Sequence, residues 1–210
     1  MSVIDKDLSS HDWTIRLDRA NCMDWTPTPE QVENGLKDNK WIVRLAWVKR
    51  MDWTPTPTQV EKGLKDSDID VRVAWVKRTD WTPTPEQVEN GLVSLDDGIR
   101  FEWAKRMDWT PTPKQVERGL IDSAWELRTA WSRRMDWTPS TEQLVRGLED
   151  TDVDVRAAWA MRMDWTPTQK QIENGLNDTS KFVRDAWMKR LKMESGMIMT
   201  EDPGKSWMSL

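Results

Sequence analysis

The residues of this sequence that could do chemistry mostly recur at regular intervals, and few stand alone. His11 is the only histidine and has no obvious carboxylate pair beside it, so we expect an exposed capping residue and not a base or metal ligand. Cys22 is the only cysteine, which excludes an intramolecular disulfide and a cysteine-based zinc cluster. No glycine-rich phosphate loop, nucleophile elbow or metal-ligand spacing occurs. Because a catalytic constellation should be unique, we expect no enzyme activity, no cofactor and no metal.

Two recurring residue types could contact nucleic acid. Tryptophans could stack on bases, but their helical spacing with alanine and valine favours a role in the core. Basic residues that end each predicted second helix would align in stacked repeats into a stripe suited to a phosphate backbone. Stabilisation of the helix dipole and pairing with the following aspartate explain the same residues without a ligand. This stripe, which makes nucleic-acid binding the alternative function, comprises Lys49, Lys77, Lys105, Arg133 and Lys189.

The bulk composition describes an acidic, tryptophan-rich chain. A formal net charge of −5 and a pI near 5.1 weaken the case for a general nucleic-acid or membrane-surface binder. With 16 Trp, no Tyr and two Phe, we expect small local cores that are each sealed by an indole. No stretch approaches the roughly 18 apolar residues of a membrane span, and no basic-then-apolar leader opens the chain, so we expect a cytoplasmic protein.

A repeat of 28 residues organises the chain. Asp-Trp-Thr-Pro begins at residues 24, 52, 80, 108, 136 and 164, and a second Trp and a Gly-Leu pair recur with the same period. We divide the chain into an N-terminal cap with half a repeat (1–22), six repeats, and a C-terminal cap with a mobile tail (191–210). The repeats are 23–50, 51–78, 79–106, 107–134, 135–162 and 163–190.

Each repeat predicts two short helices. Thr28-Pro29-Glu30-Gln31 combines a capping box with proline at the first helical position. Glycine late in this helix, as at Gly35, costs about 1 kcal/mol, so its recurrence predicts close approach by a neighbour. The second helix is predicted to be capped by serine, as at Ser67 and Ser123. A hairpin this small cannot bury its apolar face alone, so the sequence predicts an all-α solenoid, a superhelix of six tandem helix-turn-helix repeats plus an N-terminal half-repeat.

The second helix carries a spacing that resembles known helical repeats. An aspartate stands six residues before an arginine that follows an apolar residue, as in Asp66 and Arg72, and the spacing recurs in five repeats. This resembles the Asp–Arg ladder of HEAT repeats, whose two side chains bridge successive units. In its short length and its Val-Arg-x-Ala…Thr-Pro run, the unit is closer to the leucine-rich-repeat variant solenoids of bacteria. The resemblance covers residues 8–190 and implies a solenoid; such solenoids mostly bind proteins, and a minority, the HEAT-like DNA glycosylases, act on nucleic acid.

The third repeat departs from the pattern. Ser94 replaces the ladder aspartate, Gly98 enters the second helix and Glu102 replaces a packing alanine. A carboxylate at a crowded position is costly unless it is paired. One interpretation is a drifted repeat that bends the rod. The other is a hinge or specificity element around Asp96, Asp97, Phe101 and Glu102.

The positions that vary between repeats are the best indication of function. The start of the second helix and the residue after the ladder arginine change each time, whereas the scaffold residues barely change. Equivalent positions of a solenoid line up along one face, and large apolar groups among carboxylates suit a protein interface or a mimic of nucleic acid. We therefore predict a non-enzymatic protein-binding scaffold or inhibitor. The predicted partner-binding residues are Trp13, Trp41, Asp68, Ile69, Asp97, Phe101, Trp125, Asp152, Val153 and Phe182.

Overall fold

In the computed structural model, residues 3–196 are described, and within them the chain forms fourteen helices and no strand. The predicted all-α fold is therefore confirmed. The helices are α1 (Val3–Leu8), α2 (Trp13–Asn21), α3 (Pro29–Gly35), α4 (Trp41–Lys49), α5 (Pro57–Leu64), α6 (Ile69–Lys77), α7 (Pro85–Leu92), α8 (Asp97–Lys105), α9 (Pro113–Leu120), α10 (Trp125–Arg133), α11 (Thr141–Leu148), α12 (Val153–Met161), α13 (Gln169–Leu176) and α14 (Lys181–Glu194).

Each 28-residue repeat supplies one hairpin, from α3/α4 to α13/α14, and α1 with α2 forms a further hairpin before them. In the six repeats the first helices have seven or eight residues and the second helices nine, apart from the 14 residues of α14. The predicted mobile tail falls mainly on residues 197–210, which lie outside the described part of the chain.

The first helices start at the capping boxes that the sequence predicts. In α5 the Thr56 hydroxyl accepts a hydrogen bond from the Gln59 N–H at 3.3 Å, and the Gln59 side chain accepts one from the Thr56 N–H at 2.9 Å. Pro57 occupies the first helical position, where it needs no backbone donor. The same box begins α3, α7, α9, α11 and α13, which confirms the prediction.

The second-helix caps predicted at Ser67 and Ser123 are wrong by one residue. α6 follows Asp68, whose carboxylate accepts the backbone N–H two residues later at 3.0 Å. α10 follows Ala124, which offers no side-chain cap. The reason is the ladder aspartate: Asp66 accepts the N–H of Asp68 at 2.9 Å and so extends the loop by one residue before the helix begins.

A tryptophan of each second helix forms the core of its repeat. Trp75 is 1% exposed and meets Trp53 edge-on, with ring centroids 6.0 Å apart. The backbone of Gly63 lies directly against the Trp75 indole, so the predicted close approach to this glycine is confirmed. The equivalent buried indoles, which confirm tryptophan as core, are Trp47, Trp75, Trp103, Trp131, Trp159 and Trp187.

The aspartate–arginine ladder joins successive repeats, as its spacing predicts. Arg44 holds Asp66 of the following repeat with two hydrogen bonds, Nε to Oδ2 at 2.8 Å and Nη2 to Oδ1 at 2.6 Å. Its Nη1 donates to the carbonyl of Asp38, six residues earlier, at 2.8 Å. The same two-pronged pairing links Arg16 to Asp38, Arg128 to Asp150 and Arg156 to Asp178.

The chain divides into two compact units, residues 1–109 and 110–210. In each unit consecutive second helices pack directly on one another, α2 to α8 in the first and α10 to α14 in the second. Consecutive first helices make few contacts within a unit. The second helices therefore form the more tightly spaced row in each unit. None of the described helices is long and apolar enough to cross a lipid bilayer.

Candidate functional site

The candidate surface of the first unit lies where successive second helices begin. Trp13 is the first residue of α2, Trp41 of α4 and Ile69 of α6. Each helical residue turns about 100°, so Trp41 points roughly 160° away from Val43, which is 1% exposed in the core. Trp13 and Trp41 are accordingly 37% and 40% exposed, whereas Ile69 is half-buried.

The second unit repeats this arrangement at α10 and α12. Trp125 and Val153 are the first residues of these helices and are 40% and 37% exposed. Phe182 is 54% exposed, but it is the second residue of α14. Its predicted place in the row is corrected: Lys181 stands 28 residues after Val153, and Phe182 is rotated from that position by about 100°.

Two predicted carboxylates are engaged in helix caps. Asp68 and Asp152 are half-buried, and each accepts hydrogen bonds from two backbone N–H groups at the start of its helix. Asp97 is different, because it is exposed and accepts the N–H of its neighbour Gly98 at 3.0 Å. Of these three, Asp97 presents its charge most openly to solvent.

The variable position after the ladder arginine faces the packing more than the solvent. Phe101 is half-buried, and its ring lies 4.7 Å from the Lys105 Nζ one turn later, within the range of a cation–π contact. At the same position Thr129 and Ala157 are 5% and 4% exposed. The expectation that this position contributes to an exposed face is wrong for these two residues, because it lies beside the neighbouring second helix.

A solved structure described as a leucine-rich repeat variant with a novel repetitive protein structural motif is similar to this chain. The TM-score is 0.62 at 21% sequence identity, and the match covers 90% of this chain and 72% of that one. This chain has an α-solenoid fold. No protein-family model matches the sequence, and no curated protein matches it. At this identity the likeness concerns the fold alone.

The predicted basic stripe of this solenoid contains a carboxylate. Glu102, whose side chain is 13% exposed, lies 3.2 Å from the Lys77 Nζ and 3.3 Å from the Lys105 Nζ. The carboxylate that looked costly in the sequence is therefore paired twice, and it reduces the positive charge of these two lysines. The remaining members of the predicted stripe are exposed: Lys49, Arg133 and Lys189.

The arginine that follows each basic residue of the stripe is buried. Arg78 donates from Nη1 to the carbonyls of Val48 and Arg50, both at 2.6 Å, and from Nη2 to that of Trp53 at 3.0 Å. It also pairs with Asp80, and its guanidinium lies 4.3 Å from the Trp53 ring centroid. The arginines that satisfy the carbonyls at the end of the preceding second helix, and so cannot contact an external phosphate, are Arg50, Arg78, Arg106, Arg162 and Arg190. Arg134 is buried as well.

Two exposed apolar residues of the third repeat were missed by the sequence reasoning. Val93 is 50% exposed and Leu95 is fully exposed, on the loop between α7 and α8. A signal was available, because the position of Leu95 is polar in every other repeat.

The isolated histidine and cysteine show no catalytic arrangement. His11 is exposed between α1 and α2, and its carbonyl accepts a hydrogen bond from Arg16 at 3.3 Å. The Cys22 thiol donates to Asp24 at 2.9 Å. Across residues 3–196, no group of three or more His, Cys, Asp or Glu side chains is placed to hold a metal ion.

Proposed function

We propose that this solenoid is a non-enzymatic scaffold that binds a protein partner through the first residues of its second helices. The observation that carries the proposal is the exposure of Trp13 and Trp41 on the adjacent helices α2 and α4. At about 40% exposure, each leaves roughly 60–100 Å² of indole uncovered. Tryptophan is a preferred anchor of protein interfaces because a partner pocket can bury a large rigid surface at little cost in side-chain entropy.

Carboxylates at the start of the following second helices, α6 and α8, define the kind of partner. The N-caps and exposed aspartates at the start of the second helices give this edge an acidic border, as at Asp68, Asp70 and Asp97. A partner with an apolar pocket and a basic border would be complementary. The net charge of −5 and the position of Glu102 between two lysines support a protein partner over nucleic acid.

The test compares two double variants of the full chain as bait for proteins of its source cell. Trp13→Ser with Trp41→Ser removes the anchors. Met23→Ser with Met51→Ser removes two apolar side chains that are more exposed than the tryptophans, 61% and 57%, and that follow the other end of the same helices. We expect the tryptophan variant to lose at least about tenfold of one captured protein, and the methionine variant to retain it.

Either of two results overturns the proposal. If both variants still capture the protein, or if only the methionine variant fails to capture it, the partner binds another surface. A large fall in melting temperature for the tryptophan variant alone shows that the indoles serve the core. Circular dichroism of both variants supplies this control.

A further inference from the structure

The first two ladder arginines, Arg16 and Arg44, share one geometry. Arg16 holds Asp38 through Nε at 2.6 Å and Nη2 at 2.9 Å, and Arg44 holds Asp66 in the same way. Their Nη1 atoms donate to backbone carbonyls six residues earlier, which orients each guanidinium. The Nε and Nη2 edge of each ladder arginine is therefore a fixed fork for a carboxylate.

The residue after each ladder aspartate supplies one more acceptor. Arg16 donates from Nη2 to the Asn39 side chain at 3.1 Å, and Arg44 donates from Nη2 to the Ser67 hydroxyl at 3.4 Å. The residue after each ladder aspartate thus lies beside the fork.

In the third repeat both acceptors are replaced. Arg72 is held as the others are, with Nη1 donating to the carbonyls of Asp66 at 2.6 Å and Ser67 at 3.2 Å. Ser94 stands in place of the aspartate, and its hydroxyl accepts the N–H of Asp96 at 3.2 Å. Within residues 3–196, Nε and Nη2 of Arg72 have no hydrogen-bond or ion-pair partner, and we call this edge the open fork.

The loop beside the open fork has a leucine at a position that is polar in the other repeats. Leu95 is fully exposed, and Val93, on the other side of Ser94, is 50% exposed. The positions equivalent to Leu95 in the other repeats are Asn39, Ser67, Ser123, Thr151 and Thr179. With Ser94 in place of the ladder aspartate, the third repeat therefore lacks the ion pair to Arg72. The Arg72 guanidinium is available to a ligand beside the exposed Leu95.

We propose that the open fork of Arg72, with Val93 and Leu95, is a docking point for an acidic side chain of a partner protein and the apolar residue next to it. The inference rests on the proposed scaffold function and adds a chemical requirement to it. A carboxylate would bind Nε and Nη2 as Asp38 and Asp66 bind theirs, while the neighbouring apolar group covers Leu95.

The surrounding charges favour a carboxylate over a phosphate. Asp66 already binds Arg44 with the capping residue Asp68 beside it, so this loop geometry accepts one carboxylate next to another. Asp96 and Asp97 border the open fork in the same manner. A phosphate would bring up to a second negative charge into this acidic border, and its repulsion would be greater.

The experiment observes the Arg72 Nε–H directly, by nitrogen-15 NMR of the full chain with labelled arginine. The probes are N-acetyl-aspartyl-leucine amide, its neutral asparaginyl counterpart and inorganic phosphate, at equal ionic strength. We expect the Arg72 signal to move with the aspartyl probe, at least about tenfold less with the asparaginyl probe, and less with phosphate. The signal of Arg44, whose fork is filled, should not move.

Two variants give matched controls. Ser94→Asp supplies an internal carboxylate, so it should abolish the response of Arg72 and raise the melting temperature by about 2–4 °C. Leu95→Ser should leave the fork intact and weaken the response to the aspartyl probe about threefold. The inference is overturned if Arg72 does not respond, responds equally to both amides, or responds most strongly to phosphate.

Failure of this inference can be separated from failure of the proposed function. Ser94→Asp serves as a third bait in the capture experiment. If it retains a protein that the Trp13 and Trp41 variant loses, the scaffold function stands and the open fork plays no part. If Arg72 responds to the aspartyl probe but no captured protein depends on the tryptophans, the carboxylate site stands without the proposed ridge.

Discussion

In each repeat an indole occupies the space that a side chain would need on the glycine twelve residues earlier. A Cβ built on Gly63 would lie 2.0 Å from the Trp75 Nε1, and the five equivalent glycines show nearly the same distance. Glycine is unfavourable in a helix by about 1 kcal/mol relative to alanine. Here the absence of a side chain lets the indole lie on the helix backbone, and the area that Trp75 buries offsets the cost.

Replacing this glycine should damage the fold more than helix propensity suggests. We expect Gly63→Ala to lower the free energy of unfolding by about 2–3 kcal/mol, because the rigid Trp75 ring cannot move aside. The measurement is urea denaturation followed by tryptophan fluorescence. Gly98→Ala is the control: its Cβ would meet only the Asp96 carboxylate at 3.1 Å, so its effect should stay within about 1 kcal/mol. Equal effects at the two positions would contradict the packing argument.

Two arginine systems tie a second helix such as α12 to its neighbours. At the C-terminal end, a buried arginine such as Arg162 donates to the carbonyls of Ser132 and Arg134 in the preceding repeat at 2.8 and 2.7 Å. At the N-terminal end, a ladder arginine such as Arg128 holds Asp150 of the next repeat. Both ends of a short nine-residue helix are thus satisfied by neighbouring repeats, which compensates for its marginal intrinsic stability.

The ladder makes the stability of the fold depend on acid. Burial raises the pKa of the Asp150 carboxyl, but hydrogen bonds from Arg128 and from the Asp152 N–H, with the charges of Arg128 and Arg156, outweigh it and hold the pKa below its usual value. The folded pKa lies below the unfolded one, so this stabilisation is present above about pH 4 and is lost as the pH falls through the folded pKa.

We expect Asp150→Asn to be less stable than the wild type at pH 6 and to lose less stability between pH 6 and pH 3. The asparagine keeps an acceptor for the Asp152 N–H but carries no charge for Arg128. Urea denaturation at several pH values measures the difference. Arg128→Met should flatten the profile similarly, because the acid dependence belongs to the pair; a variant profile as steep as that of the wild type would refute this assignment.

Each compact unit is built by contacts between neighbouring hairpins. In the second unit α10 packs on α12 and α12 on α14, while each first helix packs on the second helix of its own repeat. A repeat therefore interacts with the hairpins beside it and with little else in its unit. Stability of such an array is close to a sum of repeat and interface contributions.

Removing one whole repeat should consequently leave a folded protein. Deletion of residues 135–162 joins Arg134 to Met163 and preserves the Arg-Met-Asp-Trp-Thr-Pro junction. We expect unchanged helicity per residue by circular dichroism and a modestly lower melting temperature. Deletion of residues 135–155, which breaks the 28-residue register, should lose helicity and cooperative unfolding. Similar behaviour of the two deletions would contradict a neighbour-only architecture.

Much of the fold follows from the sequence because its causes are local or strictly periodic. The boxes such as Thr56 with Gln59 need only three residues of separation, and the 28-residue period alone aligns the indoles, the glycines and the ladder. The exposure of Trp41 could also be predicted in this way, since two residues of helix separate it from the buried Val43. Fold class, repeat boundaries and core composition therefore required no tertiary information.

Tertiary structure decided which polar groups are available to a partner. In Lys77-Arg78 the sequence offers two adjacent cations, but helix packing directs Arg78 onto carbonyls 25–30 residues earlier and leaves Lys77 to share Glu102. Likewise Arg72 looks the same as the other ladder arginines, and only the pairing across 22 residues shows that Ser94 leaves its fork open. Burial and charge pairing depend on which helices meet in space, and local propensity carries no information about that.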